Sequence, residues 1–390
     1  MKICDLTQFY SPVSGGVRRY VEQKVAYIRR ERPDCRHILI VPGETTGVTG
    51  DETARVYTIA SPLVSRTSRY RALLKLSLVE EVLEREMPSL IESGDPYQVA
   101  WKAVASGRGL DIPVVGFYHS HFPEAYIRSV AKYFGPLAIS IAEDVSRRYV
   151  HALYNRFERT FVPSPVLAKL LRDWGVERVE SIDLGVDVDI FHPGPAEPRL
   201  TRADLGIPEE PRLLLYVGRL ASEKNVRTLF QAVEWLHTRH PGKYHLLCVG
   251  DGTLRPALLR LRESTGAVTW MQYCQEAARL AAIYRLADVF VHPGIQETFG
   301  LVTLESQACG TPVVGIRGSY MDRIIFTNQS QWAEENTPES LARAIVAKLD
   351  QDLTRIGLQA SEAARGRYSW RSVFGRLFGI YEDVIANYSR

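Results

Sequence analysis

No stretch of 18 apolar residues occurs in this sequence, so no helical membrane span is expected. Disulfides are not expected either. The five cysteines, Cys4, Cys35, Cys248, Cys274 and Cys309, are odd in number and scattered, and none forms a CxxC pair. The same scatter argues against a cysteine-built zinc site. Charge of one sign is also lacking: the net charge is +3 over 390 residues, which gives no overall attraction to nucleic acid. Gly and Pro never gather into a long tract, so no disordered tail is expected. The start, Met1-Lys2-Ile3-Cys4-Asp5, puts an acid where a signal peptide needs an apolar run, and the expected location is the cytoplasm.

What is present suits two α/β domains. Apolar residues make up 45% and charged residues 24%, enough for large buried sheets in a soluble chain. Short Val-, Leu- and Ile-rich runs at Ile38–Pro42, Val114–Tyr118, Leu213–Val217, Tyr244–Val249, Val289–His292 and Pro312–Ile316 read as buried parallel strands. Helical patterns such as Val17–Arg30 and Val226–His240 lie between them, so strand and helix alternate throughout. His192-Pro193-Gly194-Pro195-Ala196-Glu197-Pro198 continues neither helix nor strand well. The expected division is therefore 1–192, a linker at 193–204, a second domain at 205–367, and a final helical segment at 368–390. Two doubly wound, Rossmann-like halves facing each other would form a cleft at the carboxyl ends of their strands, where such folds bind ligands.

Four segments put polar or glycine residues just after expected strands. Ser14-Gly15-Gly16-Val17 follows Ile3–Leu6 and opens a helix, which suits close approach of an anion. A tight turn without ligand fits it equally, and no GxGxxG dinucleotide fingerprint is present. Tyr118-His119-Ser120-His121 places two histidines at a strand end; a metal would need a third ligand, and none is near in sequence. A hydrogen bond to a substrate hydroxyl fits better, with solvent-facing loop histidines as the plain alternative. In Gly218-Arg219-Leu220-Ala221-Ser222-Glu223-Lys224-Asn225, two cations bracket a loop before a helix, a pocket suited to a diphosphate or else a solvated basic turn. Last, Glu297-Thr298-Phe299-Gly300-Leu301-Val302-Thr303-Leu304-Glu305 leads through Cys309 and Gly310 to Thr311-Pro312-Val313-Val314. It offers two carboxylates for sugar hydroxyls and the unpaired amides of a helix start for phosphate.

In this order, with Val162-Pro163-Ser164, Gly185-Val186-Asp187, Phe191-His192-Pro193 and Val249-Gly250-Asp251-Gly252 between, these segments resemble retaining glycosyltransferase family 4 over nearly the whole chain. The resemblance implies the GT-B fold and a nucleotide-sugar co-substrate, with UDP- or GDP-sugars preferred over ADP-sugars and no other cofactor. It implies catalytic roles for His119, Arg219, Lys224 and Glu297. Gly15, Gly16, Gly218, Gly250 and Gly252 would contact the donor. So would Phe299, Gly300, Leu301 and Val302, while Glu305 would hold the ribose hydroxyls. The charge on the leaving diphosphate would be met by Arg219 and Lys224 rather than by a metal, since no Asp-x-Asp follows a suitable strand. Two departures, Trp270-Met271-Gln272-Tyr273 and Gly318-Ser319-Tyr320-Met321-Asp322, leave the donor's identity open.

The acceptor is read more coarsely, as a glycan, lipid or small molecule. Tyr118–Tyr126 resembles the corresponding run of lipid glycosyltransferases, including sulfoquinovosyl-diacylglycerol synthases. No acid lies between Glu52 and Glu80, and Arg66–Leu78 read as a helix would be basic and partly apolar, which suits docking on the inner face of an anionic membrane or an ordinary solvated face. A same-fold nucleotide-sugar epimerase and a non-catalytic nucleotide- or carbohydrate-binding protein are the competing functions. A phosphorylase would need a lysine motif for pyridoxal phosphate that is not seen.

Overall fold

The structure is a computed structural model that describes residues 1–10, 16–64, 69–119, 136–194, 199–295, 299–319, 321, 324–326 and 332–388. The chain forms two compact units, Met1–Leu184 with Trp370–Arg390, and Gly185–Ser369.

Unit 1 is built on an eight-stranded sheet: β1 (Lys2–Leu6), β2 (Arg36–Gly43), β3 (Gly47–Gly50), β4 (Ala54–Ala60), β5 (Leu90–Ser93), β6 (Val114–Phe117), β7 (Thr160–Val162) and β8 (Val179–Ser181). The order is β3-β4-β2-β1-β5-β6-β7-β8; every pairing is parallel except β3 with β4. The order reverses between β1 and β5, the place where a doubly wound sheet leaves a crevice at its carboxyl edge. Helices α1 (Gly16–Glu31), α2 (Leu76–Glu86), α3 (Gln98–Leu110), α4 (Pro136–Tyr154) and α5 (Pro165–Asp173) make the crossovers. Ser164 caps α5 by accepting from Leu167 N at 3.1 Å, with Pro165 in the first turn. The core of β-branched strand residues and helix faces includes Ile38, Ile40, Val79, Leu83, Ile91 and Val99, all nearly devoid of solvent contact.

Unit 2 has a five-stranded, wholly parallel sheet: β9 (Arg212–Val217), β10 (Tyr244–Val249), β11 (Val268–Met271), β12 (Val289–Val291) and β13 (Val313–Val314), ordered β11-β10-β9-β12-β13. Here the order reverses between β9 and β12. Its helices are α6 (Val226–Arg239), α7 (Arg255–Thr265), α8 (Ala277–Leu286), α9 (Leu301–Ala308), α10 (Pro338–Leu349) and α11 (Leu353–Tyr368).

Two expectations differ from this architecture. The sequence pattern places the end of the first domain at residue 192, but unit 1 leaves off at Leu184 and resumes at Trp370. Val186 N donates to Tyr368 O at 2.7 Å and Arg285 donates to His192 O at 2.8 Å, so 185–192 is stitched into unit 2 ahead of the proline-rich stretch. The segment Arg66–Leu78 is also not one helix. Val64 N donates to Tyr70 O, Leu63 bridges Arg71, and Arg69 takes φ 53°; helix α2 starts only at Leu76. Residues 65–68 lie outside the described residues. The final helix, α12 (Trp370–Asn387), is part of unit 1 and packs on α1, with Tyr27 against Phe374 and Phe378.

Candidate active site

In unit 2 the crevice between β9 and β12 gathers most of the sequence-assigned residues. Gly218 and Arg219 follow β9, and Gly250 and Gly252 follow β10. Gly218 N donates to Val249 O (3.0 Å) and Leu220 N to Asp251 O (2.9 Å), so the two loops run backbone to backbone. A Cβ on Gly250, whose φ is +142°, would lie 1.9 Å from Gly218 O. This packing demands glycine there whatever the loops bind.

Arg219 is exposed and pairs with the exposed Glu223 at 3.4 Å. Lys224 closes a short 3-10 turn, Ser222–Lys224, that ends at Asn225 in the left-handed region (φ 55°, ψ 26°). Asn225 is a residue whose role sequence reading left unassigned. Its Nδ2 donates to Pro293 O at 2.8 Å and to Asn336 Oδ1 at 2.7 Å, and its Oδ1 accepts from Thr228 at 2.9 Å. It thereby ties the cationic loop after β9 to the loop after β12. The signal was legible as an Asn just before a helix, since Asn enters the left-handed region most easily of the non-glycine residues.

The loop after β12 opens α9. Gly300 caps it at φ 82°, and a Cβ there would meet Met321 Sδ at 2.5 Å. The first-turn amides of Leu301 and Val302 have no acceptor within the helix. Phe299 turns inward, 4% exposed, against Tyr368. Glu305 is 2% exposed, one oxygen accepting from the Tyr284 hydroxyl at 3.2 Å. The helix ends with Gly310 at φ +80°; Gly310 N bonds Gln307 O and Thr311 N bonds Ser306 O, a Schellman closure. Glu297 lies outside the described residues.

Unit 1 carries its own recess at the β1/β5 reversal, lined by Thr7, Val17, Tyr20, Gly94 and His119, with Asp5 and Glu92 at its floor. His119 follows β6. Its ring stacks on Phe117 (4.1 Å, 10°) and meets Tyr20 edge-on (5.1 Å). Burial, helped by the charge of Lys24, pushes this imidazole down from 6.5 to about 3, so it is neutral at ordinary pH. Nearby, burial raises Asp95 to about 6 although Gln8 N and Tyr97 N donate to it. Gly16 starts α1, and no described atom lies within 4 Å of where its Cβ would be. Gly15 and His121 lie outside the described residues. Among the described residues, no group of three His, Cys, Asp or Glu side chains is placed to hold a metal.

Residues 14–190 match the family described as Glycosyltransferase Family 4, and residues 199–365 match Glycosyl transferases group 1. A GDP-mannose-dependent alpha-(1-6)-phosphatidylinositol dimannoside mannosyltransferase of Mycobacterium tuberculosis is 30% identical over 349 residues, 88% of this chain and 87% of that protein. The chain belongs to glycosyltransferase family 4. A GDP-mannose-dependent alpha-mannosyltransferase of Corynebacterium glutamicum is 29% identical over 99% of this chain and 90% of its own length. A D-inositol 3-phosphate glycosyltransferase of the same species is 31% identical over 54% of the chain, and the match spans 53% of that protein's length. Among solved structures, sucrose-phosphate synthase from Thermosynechococcus elongatus matches over 99% of both chains at 20% identity and TM-score 0.76. An Anabaena protein, HepE, solved with UDP and glucose, matches over 98% of this chain and 100% of that one at 15% identity and TM-score 0.72. This glycosyltransferase family member thus has the GT-B fold, its two sheets being the two Rossmann-like halves.

Proposed function

We propose that this glycosyltransferase moves a hexose from a nucleoside-diphosphate sugar to an acceptor hydroxyl, with retention at the anomeric carbon and without a metal ion. The observation that carries the reading is in unit 2: the Arg219–Lys224 loop and the start of α9 sit at neighbouring strand ends, joined through Asn225 and Pro293. Cleaving the anomeric bond puts negative charge on the departing diphosphate. Arg219, Lys224 and the amides of Leu301 and Val302 would meet that charge in a preorganised way. Glu297 is assigned to the donor sugar's hydroxyls, Glu305 to the ribose, Gly15 and Gly16 to the diphosphate, and His119 to the transferred sugar. A neutral imidazole bonds a hydroxyl without competing for the cations' partner.

The names of the full-length relatives favour GDP-mannose as donor and an inositol-containing lipid as acceptor. The same enzyme would dock on an anionic membrane surface. Leu63, Val64 and Leu74 are exposed beside the exposed Arg69 and Lys75, a mixture suited to an anionic lipid surface. Among the described residues no helix is long and apolar enough to cross a membrane.

The test is turnover of GDP-mannose and UDP-glucose in EDTA, with lipid and glycan acceptors, reading the product anomer by NMR. Arg219→Ala is expected to lower kcat by about 10²–10³, the usual loss for one preorganised donor. Turnover equal to wild type by both Arg219→Ala and Glu297→Ala would rule the assignment out. A sugar altered with no acceptor present would indicate an epimerase instead.

A further inference from the structure

At the floor of the recess beside His119 lies a buried charge cluster that the transfer chemistry above leaves unused. Lys24 of α1 has no exposed surface. Its Nζ is 2.8 Å from Asp5 Oδ1, 2.9 Å from Glu92 Oε1 and 3.2 Å from the Tyr381 hydroxyl of α12. Tyr381 also donates to Glu92, and His37 Nε2 lies 2.8 Å from the other Asp5 oxygen. Three charged side chains from α1, β1 and β5 are thus removed from water together, with a hydroxyl from a helix that comes more than 250 residues after His119 in sequence. A buried ion cluster of this kind gains little over a well-packed apolar one; what it can do is impose a single arrangement.

The arrangement converges on Tyr20. The Lys24 ammonium lies 4.5 Å over the Tyr20 ring, the Tyr20 hydroxyl reaches Glu92 Oε2 at 3.4 Å, and Phe374 and Trp370 of α12 pack on its other sides at 5.6 and 6.3 Å. Tyr20 in turn meets the His119 ring edge-on. Stacking on Phe117 alone would leave the imidazole free about its broad terminal torsion. Another edge of the ring faces Gly94, where a Cβ would lie 3.7 Å from His119 Cδ2.

We infer that Tyr20 is the positioning residue for His119, and that α12 holds Tyr20 in place through Trp370, Phe374 and the Lys24–Glu92–Tyr381 cluster. The inference rests on the sugar-contacting role given to His119 above. Among the described residues, the charged and titratable groups around the pair are Lys24 of α1, Asp5 of β1, His37 of β2, Glu92 of β5 and Tyr381 of α12. Because Tyr20 acts through another residue, its loss should lower kcat while leaving unchanged the affinity for free GDP, which is assigned chiefly to the loops of unit 2.

The test compares Tyr20→Phe, Tyr20→Leu and Phe374→Leu with wild type in the full chain. Turnover is measured alongside GDP affinity. The His119 imidazole is followed by NMR titration, with its signal assigned by loss in His119→Gln. Phe keeps the ring and should stay near wild type. Leu should lose about 10- to 100-fold in kcat, the scale of a 1 Å misplacement, with GDP affinity unchanged and His119 titrating nearer 6.5 than about 3. Phe374→Leu never touches His119 and should move its titration the same way to a smaller extent. If Tyr20→Leu does not fold, Phe374→Leu alone decides by its titration. A wild-type kcat and an unmoved His119 titration in the folded variants overturn the inference. Should wild type turn over no nucleotide sugar, the functional proposal falls, and the NMR comparison still tests the link between Tyr20 and His119.

Discussion

At the residue scale, Lys24 and His119 make opposite demands on the interior of unit 1. Lys24 stays charged where no water reaches it because two carboxylates hold it, and its pKa rises despite burial, which acts against the charge. Lys24→Met would take the shared ammonium from Asp5 and Glu92, leaving Asp5 only His37 and Glu92 only tyrosine hydroxyls as partners among the described residues. A loss of about 3–5 kcal/mol in denaturant unfolding is expected, and a loss under 1 kcal/mol would mean that the carboxylates are compensated elsewhere. His119 is instead held neutral. Its folded pKa, about 3, lies below the unfolded 6.5. The unfolded chain therefore binds the extra proton first, and stability drains away as pH falls from 6.5 toward 3. At pH 5 the loss from this residue is about 2 kcal/mol. Asp95, raised from 3.8 to about 6, works the other way, easing its burial cost as pH falls through that window. The net acid profile hides both effects, so the comparison is His119→Gln with wild type: the variant should lose less stability between pH 7 and 5. Parallel curves would contradict the buried neutral imidazole.

At the element scale, the loops after β9 and β12 show why spacing alone undersold Asn225. Two side-chain donations and a left-handed backbone are concentrated there. Asn225→Ala removes bonds worth about 1 kcal/mol each and adds about 1–2 kcal/mol of backbone strain. It should destabilise unit 2 and weaken GDP binding several-fold by loosening the Lys224 loop; calorimetric titration with unchanged affinity would count against that coupling. The misread Arg66–Leu78 segment teaches the converse. Its apolar spacing satisfies a helix, but Arg69 in the left-handed region and the Val64–Tyr70 bond turn the chain back first. Local periodicity does not register a hydrogen bond between residues six apart.

At the scale of the whole molecule, the chain is two units, and the late helix α12 belongs to the first. Residues 185–369 contain their own sheet, core and the stitch from Val186 to Tyr368. Expressed alone they should unfold cooperatively and gain about 2.7 kcal/mol from GDP at 100 times its dissociation constant. No thermal shift with GDP, UDP or ADP would remove the nucleotide assignment from this unit. Residues 1–184 without α12 would uncover Tyr20, Lys24 and Glu92 and should not reach a folded state.

Alternating apolar runs and helical patterns were sufficient for the α/β class and for seven of the thirteen described strands to within a residue or two. Motifs at strand ends pointed to the Arg219–Lys224 loop and the start of α9, because strand ends and glycine-led helix starts are local events; Gly250 and Gly252 were named only through the family resemblance. Only the tertiary structure decided that the first unit stops at Leu184, that Gly250 answers to the neighbouring backbone, and that Lys24, Tyr20 and Tyr381 stand behind His119. Those facts depend on groups brought together from distant parts of the chain, where burial, rather than spacing, sets which charges and rings can coexist.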